Sequence, residues 1–143
     1  MNVKAILAAK GGDITCIEPT ADLATATKLL SAHRIGAVVI RGAGGRLAGI
    51  LSERDIVRAL SEHGADALAL PVGQVMTRDV ATCGEDDSVA SIMERMTAGK
   101  FRHMPVIAAG HLVGLISIGD VVKQRVEEIE SESEAMRDYI RTA

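Results

Sequence analysis

The chain has 143 residues, of which 48% are apolar, and its formal net charge is −3. This length fits one compact domain, and the core must be aliphatic because Phe101 and Tyr139 are the only aromatic residues. A nucleic-acid-binding protein is disfavoured, because such proteins need a basic face for phosphates and aromatic rings on which bases stack.

Neither a membrane segment nor a signal peptide is indicated. The longest apolar run near the start, AILAA at positions 5–9, is too short for either. We therefore expect a cytoplasmic protein without membrane contact. Cys16 and Cys83 have no Cys or His at the spacing of metal ligands, so we expect two buried thiols and no metal site.

In chain order, the first repeat begins with the lead-in VKAIL and a short strand at 14–17. A polar turn and an amphipathic helix follow, and then two apolar strands at 37–40 and 47–51 that flank a Gly-rich hairpin turn. A second helix begins after Ser52. The predicted order of this unit is therefore β-α-β-β-α.

The second repeat lies 66 residues further on, where DVATCGEDDSVASIMERMTAGKFRHMPV aligns with DITCIEPTADLATATKLLSAHRIGAVVI. It predicts strands at 80–83, 104–107 and 112–116. Its first helix is N-capped by Asp86 or Asp87 and ends at Gly99. The last helix begins after Ser117.

The two repeats predict one α+β module. Because a unit of about 60 residues is marginally stable alone, we expect the repeats to pack on each other around a pseudo-twofold axis. The segment SEHGADALALP is the predicted linker. We place the first repeat with its lead-in at 1–62, the linker and second repeat at 63–128, and an extended C-terminal helix at 119–143.

The last helix is predicted to continue far beyond Asp120. An apolar stripe with 4-3 spacing runs along it, with Ser133 in one slot, and comprises Val122, Val126, Ile129, Met136 and Ile140. A stripe of little over two heptads fits a helix that lies on its own domain and fits a dimer contact equally well.

One strand-to-helix corner occurs twice, as GILSERDIV at 49–57 and GLISIGDVV at 114–122. Ser52 with Asp55, and Ser117 with Asp120, fit the capping box, in which a serine N-cap is followed three residues later by an acidic residue. A capping box alone explains these residues and predicts no ligand.

Three features favour a ligand at these corners. Each corner follows an apolar strand that contains Gly49 or Gly114, and backbone N–H groups point outward at such a corner. An aspartate at a helix N-terminus suits the two adjacent hydroxyls of a ribose better than a phosphate. The residues between serine and aspartate differ: Arg54 can neutralise phosphate, and Gly119 lets a ligand approach the backbone.

These tandem units and their G-h-h-S-x-x-D corners, with RHMPVI before the second hairpin, resemble a pair of CBS domains, named after the regulatory region of cystathionine β-synthase. The resemblance covers Met1 to Glu127. It implies a regulatory sensor of adenosine nucleotides, namely AMP, ADP, ATP or NAD. No catalytic set can be argued from residue spacing, so we expect neither enzyme activity nor a catalytic cofactor.

The resemblance also implies site residues, because in the family the corner aspartate holds the ribose and the corner serine faces phosphate. The first site would comprise Thr15, Ile17, Gly36, Ala37, Ser52, Arg54 and Asp55. The second would comprise Ala81, Cys83, Arg102, His103, Pro105, Ser117, Gly119 and Asp120. For His103, a structural role is an equal alternative. The family's sites share a cleft, so Arg54 and Arg102 are candidates to reach the neighbouring phosphate.

The family commonly forms a homodimer, a flat disc of four CBS units. With no effector domain in the sequence, we expect the regulated protein to be a separate partner. The alternative to a nucleotide sensor is a ligand-free dimerisation or adaptor module, in which both capping boxes are only caps.

Overall fold

The computed structural model describes residues 1–142, which form six α-helices and five β-strands. The helices are α1 (Val3–Lys10), α2 (Leu23–His33), α3 (Glu53–His63), α4 (Val72–Val75), α5 (Val89–Gly99) and α6 (Ile118–Thr142). The strands are β1 (Cys16–Ile17), β2 (Ala37–Arg41), β3 (Leu47–Ser52), β4 (His103–Ala108) and β5 (His111–Ser117). The predicted α+β class is confirmed. Within residues 1–142, no helix has both the length and the apolar character that crossing a bilayer requires.

The chain divides into two compact units. The first unit comprises residues 13–81 and the hairpin tip at 110–112, and the second comprises residues 1–12, 82–109 and the chain from residue 113 onward. Helix α1 therefore lies in the unit of the second repeat, and α4 lies in the unit of the first. The lead-in VKAIL of the first repeat lies in α1, and the corresponding lead-in VGQVM of the second repeat contains α4. Each lead-in therefore lies in the unit of the other repeat, whereas the sequence boundaries grouped it with the repeat that follows it.

The first unit is built on a three-stranded sheet in the order β1-β2-β3. Strand β1 runs parallel to β2 with Cys16 opposite Val39, and β2 runs antiparallel to β3 with Ala37 opposite Ser52. Aliphatic side chains of the helices and strands fill its core, as the composition requires: Leu23, Ala26, Leu30, Val38, Ile40, Leu51, Ile56, Ala59 and Val72.

The Gly-rich segment between β2 and β3 is the predicted hairpin turn. The N–H of Gly42 donates to the carbonyl of Arg46 at 2.8 Å, and a 3-10 helix spans Ala43–Gly45. Gly44 has a φ of 71°, a conformation that glycine adopts without steric cost. The predicted linker is also ordered, because α3 continues to His63 and a 3-10 helix follows at Gly64–Ala69.

The second unit contains the hairpin of β4 and β5, with α5 and α1 packed against α6. The predicted strand at 80–83 is reduced to a single parallel bridge between Cys83 and Val106. In this bridge the N–H of Cys83 donates to Pro105 at 3.0 Å, and the N–H of Ile107 donates to Cys83 at 2.8 Å.

The first turn of α5 differs from the prediction. Its N-cap is Ser88, whose Oγ accepts from the N–H of Ser91 at 3.1 Å. Asp87 lies one residue earlier, and its Oδ2 accepts from the N–H of Gly84 at 2.8 Å. The helix ends at Gly99 as predicted, but the left-handed residue is Lys100, with a φ of 56°.

Candidate functional site

The first corner lies where β3 ends and α3 begins. Ser52 ends β3 and lies opposite Ala37, the first residue of β2. Gly36 directly precedes Ala37. Thr15 directly precedes β1, and its carbonyl accepts from the N–H of Val39 at 3.2 Å. The strand register therefore brings Thr15, Ala37 and Ser52 to the same end of the sheet.

Asp55 is held by the predicted capping box. Its Oδ2 accepts from the N–H of Ser52 at 2.9 Å and from the Oγ of Ser52 at 3.1 Å, and its own N–H donates to that Oγ at 3.4 Å. Its Oδ1 accepts from Nη2 of Arg58 at 2.8 Å and from Oγ1 of Thr77 at 3.1 Å. Both oxygens thus have protein partners, and only 3% of the residue is exposed.

The second corner repeats this geometry where β5 ends and α6 begins. Asp120 Oδ2 accepts from the N–H of Ser117 at 2.9 Å and from its Oγ at 3.0 Å, and the N–H of Asp120 donates to that Oγ at 3.3 Å. The N–H of Ile118 donates to the carbonyl of Arg102 at 2.8 Å. Both capping boxes predicted from the sequence are therefore present.

A lysine also binds the second corner. Nζ of Lys10, at the end of α1, donates to Oδ2 of Asp120 at 2.6 Å and to the carbonyl of Leu115 at 2.7 Å. Partial burial raises the pKa of Asp120, but hydrogen bonds from Lys10 and Ser117 and the charge of Lys10 outweigh it and hold this pKa below its ordinary value. Asp120 is therefore an anion at neutral pH.

The other predicted residues of the second site lie on and beside the hairpin. His103 begins β4 half-buried and in contact with other groups, and the exposed Arg102 precedes it. Burial and the charge of Asp87 raise the pKa of the Cys83 thiol to about 11, so Cys83 is a neutral packing residue. Ala81 is the last residue of the first unit, whereas the rest of this predicted site belongs to the second.

Three polar side chains at the corners were not singled out from the sequence: Lys10, Arg58 and Thr77. Arg58 lies three residues after Asp55 on one helix, a spacing at which opposite charges pair, so a sequence signal existed. Lys10 and Thr77 reach their corners from positions 110 and 22 residues away. No local pattern could have indicated these two contacts.

A groove of about 560 Å³ opens between the end of α2 and the start of α3. Its lining comprises Thr27, Leu30, Ser31, Arg34, Ile35, Gly36, Glu53, Ile56 and Val57. Of the residues predicted for the first site, Gly36 alone is among them. The groove therefore lies beside the first corner and not at Asp55.

Comparison with known proteins establishes the family. The model of the CBS domain matches residues 3–62 and 72–127, which together make up most of the chain. The chain therefore belongs to the CBS-domain proteins, and its predicted resemblance to a tandem CBS pair is confirmed.

Particular relatives agree with this assignment. The crystal structure of the CBS-domain containing protein ATU1752 from Agrobacterium tumefaciens is 44% identical, has a TM-score of 0.84, and covers 87% of this chain and 92% of that one. The CBS domain pair of protein MJ0100, solved in complex with 5′-methylthioadenosine and S-adenosyl-L-methionine, is 25% identical with a TM-score of 0.78, covering 90% and 98%.

Among curated proteins, the mitochondrial CBS domain-containing protein CBSX3 of Arabidopsis thaliana is 35% identical over 119 residues. The match covers 80% of this chain and spans 58% of the length of that relative.

Proposed function

We propose that this chain is a regulatory module that binds an adenosine nucleotide, AMP, ADP, ATP or NAD, and signals by a change of conformation or assembly. The observation that carries the proposal is the duplicated corner, in which each unit places an aspartate in the first turn of a helix beside a basic side chain. A carboxylate accepts hydrogen bonds from both hydroxyls of a ribose, and nearby cations neutralise phosphate.

The family supports a regulatory role, because CBS-domain proteins are generally regulatory and not catalytic. The CBS domain pair of MJ0100 supports the ligand class, since 5′-methylthioadenosine and S-adenosyl-L-methionine both contain adenosine. On the family resemblance and the composition, we also propose a homodimer, a separate regulated protein and a cytoplasmic location.

Ligand binding at the first corner requires the carboxylate of Asp55 to exchange a partner. At the first corner a ribose would replace Thr77 or Arg58 on Oδ1 of Asp55, while the capping bonds on Oδ2 stay in place. At the second corner, Ser117 and Lys10 both bind Oδ2 of Asp120, so a ribose would bind Oδ1 while these contacts stay in place. Thr77 follows α4, so occupancy of the first corner would be coupled to the position of that lead-in.

Isothermal titration calorimetry with AMP, ADP, ATP and NAD tests the proposal. We expect the wild type to bind at least one of them, and Asp55→Asn and Asp120→Asn each to weaken binding at their own corner by about tenfold or more, the effect of losing charged hydrogen bonds. Absence of heat with every compound would contradict the proposal.

Asp22→Asn is the matched control for these variants, because it makes the same substitution at an aspartate that lies outside both corners. Oδ1 of Asp22 accepts from the N–H of Thr25 at 2.8 Å and caps α2. We expect the affinity of this variant for nucleotide to equal that of the wild type.

The second candidate function is a ligand-free dimerisation or adaptor module. It is favoured by the completeness of both capping boxes, which explains Asp55 and Asp120 without a ligand. It predicts that Asp55→Ala and Asp120→Ala lose about 1 kcal/mol of stability each, as for other helix caps, and that no nucleotide binds the wild type. The same calorimetry therefore separates the two candidates.

A further inference from the structure

Helix α6 carries an exposed apolar stripe that its own unit does not cover. Val121 and Gln124 of α6 are its buried residues. The stripe lies about 100° further around the helix axis, since each residue advances by that angle. Its members are 44% to 66% exposed and comprise Val122, Val126, Ile129, Met136 and Ile140. The sequence allowed this stripe either to lie on its own domain or to form a dimer contact. The structure does not show the first arrangement, because the stripe is exposed.

We propose that the α6 helices of two copies of this chain form a parallel, in-register, two-stranded coiled coil. With Val126 at position a and Ile129 at position d, every member of the stripe takes an a or d position. Ser133 takes the central a position, where one polar residue weakens the seam but restricts its register. A second copy of the chain presents the same seam and is the proposed occupant.

The charges beside the stripe are complementary in the parallel arrangement. Arg125 and Glu132 take g positions, and Glu130 and Arg137 take e positions. In a parallel coiled coil each g residue faces the e residue five positions further along the other helix. Arg125 then faces Glu130 and Glu132 faces Arg137, and symmetry repeats both pairs, so all four contacts join opposite charges.

An antiparallel arrangement of the same stripe brings e residues against e residues and g residues against g residues. Glu130 would then face Glu130, Glu132 would face Glu132, and Lys123 would face Arg137 of the other copy. Arg125 would face the uncharged Tyr139, so every contact between two charged residues joins like charges, which suppresses a pairing. The charge pattern therefore selects the parallel orientation as well as the partner.

The contacts of Arg125 within its own chain are compatible with this assembly. Its Nη1 lies 3.3 Å from Oε2 of Glu128, and its side chain remains about one third exposed. A guanidinium has five N–H donors, so Arg125 can keep this contact and still bind Glu130 of the second copy.

Sedimentation equilibrium of the full chain tests the apolar seam. We expect a dimer in the wild type and at least about a tenfold rise in its dissociation constant for Ile129→Asp, which buries a charge at a d position. Circular dichroism must show an unchanged fold, which the exposure of Ile129 favours. A wild type that is monomeric at about 100 µM, or an Ile129→Asp dimer of unchanged affinity, would overturn the proposal.

A charge-exchange cycle tests the orientation. In the parallel coil, Arg125→Glu and Glu130→Arg each create like-charge contacts and weaken the dimer, whereas the double variant restores complementary charges and most of the affinity. Glu134→Arg is the matched control, because it makes the same charge change at a b position that faces away from the seam. The parallel pairing is wrong if the double variant does not regain dimer affinity, or if Glu134→Arg weakens the dimer as much as the single variants do.

A disulfide provides an independent measurement. In the in-register parallel coil, Ser133→Cys places the two new thiols at the same level of the seam, within reach of a disulfide, and oxidation yields a covalent dimer. Glu134→Cys places them outside the seam and serves as the control. Equal crosslinking of both variants would overturn the proposed register.

Discussion

Asp55 and Asp120 take the same position in two equivalent capping boxes, but their surroundings differ. Asp55 is almost fully buried, and its second oxygen is held by Arg58 and Thr77. The side chain of Asp120 is 26% exposed and is held by Lys10 from another element. A ligand must displace a protein partner from Oδ1 of Asp55 but not from Oδ1 of Asp120, so we expect the second corner to bind first.

The pKa of Asp120 makes stability depend on pH. Because its folded pKa lies below the ordinary value of 3.8, the ionised carboxylate contributes stability above about pH 4, and this contribution is lost as the pH falls through the folded pKa. Lys10→Met removes the largest cause that lowers this pKa, while burial still raises it. We expect the carboxyl titration of Asp120, followed by NMR, to move to higher pH in Lys10→Met.

Lys4→Met is the control for this titration, because Lys4 is an exposed residue of the same helix. In the Lys4→Met variant, the titration curve of Asp120 should match that of the wild type. An unchanged curve in Lys10→Met would show that the ion pair does not determine the pKa of Asp120.

At the scale of elements, each corner strand contains a glycine that a lead-in segment approaches closely. A Cβ on Gly49 of β3 would lie 2.6 Å from the carbonyl oxygen of Thr77 and 2.7 Å from Sδ of Met76. A Cβ on Gly114 of β5 would lie 2.5 Å from Cδ2 of Leu7. The sequence pattern associated both glycines with a ligand corner, and the structure shows in addition that each makes room for the lead-in of its own unit.

The two glycines should differ in their tolerance of alanine. Gly49→Ala must displace backbone and should lose about 1–3 kcal/mol of unfolding free energy, as for other overpacked sites. For Gly114→Ala the three nearest atoms belong to the side chain of Leu7, which can rotate, so we expect a smaller loss. Chemical denaturation of both variants measures the difference, and a larger loss for Gly114→Ala would contradict this explanation.

At the scale of the whole molecule, the lead-ins stabilise the units that contain them. Val3 and Ile6 of α1 are buried, and the N–H groups of Val3 and Lys4 donate to the carbonyls of Asp87 and Glu85 at 2.9 and 3.0 Å. These bonds attach α1 to the segment that leads into α5. The carboxylate of Asp87 accepts from the N–H of Gly84 in the preceding turn, which explains why Ser88 and not Asp87 caps α5.

Ile6→Ala tests this assignment of α1. We expect a loss of about 2–5 kcal/mol, as for other buried isoleucines, and native-state hydrogen exchange should show reduced protection in α5 before α2. Val75→Ala makes the corresponding change in α4 of the first unit, and in this variant we expect α2 to lose hydrogen-exchange protection before α5. If the same helix lost protection first in both variants, the assignment of α1 to the second unit and of α4 to the first would be contradicted.

The sequence by itself determined the repeat, the α+β order of each unit, the aliphatic core and both capping boxes. These features depend on periodicities of two to four residues and on a spacing of three between serine and aspartate, which are readable along the chain. Only the tertiary structure decided that Lys10 and Thr77 bind the corner carboxylates, that each lead-in joins the other repeat, and that the strand at 80–83 is a single bridge. Those outcomes depend on contacts between distant segments, whose packing leaves no periodic pattern in the sequence.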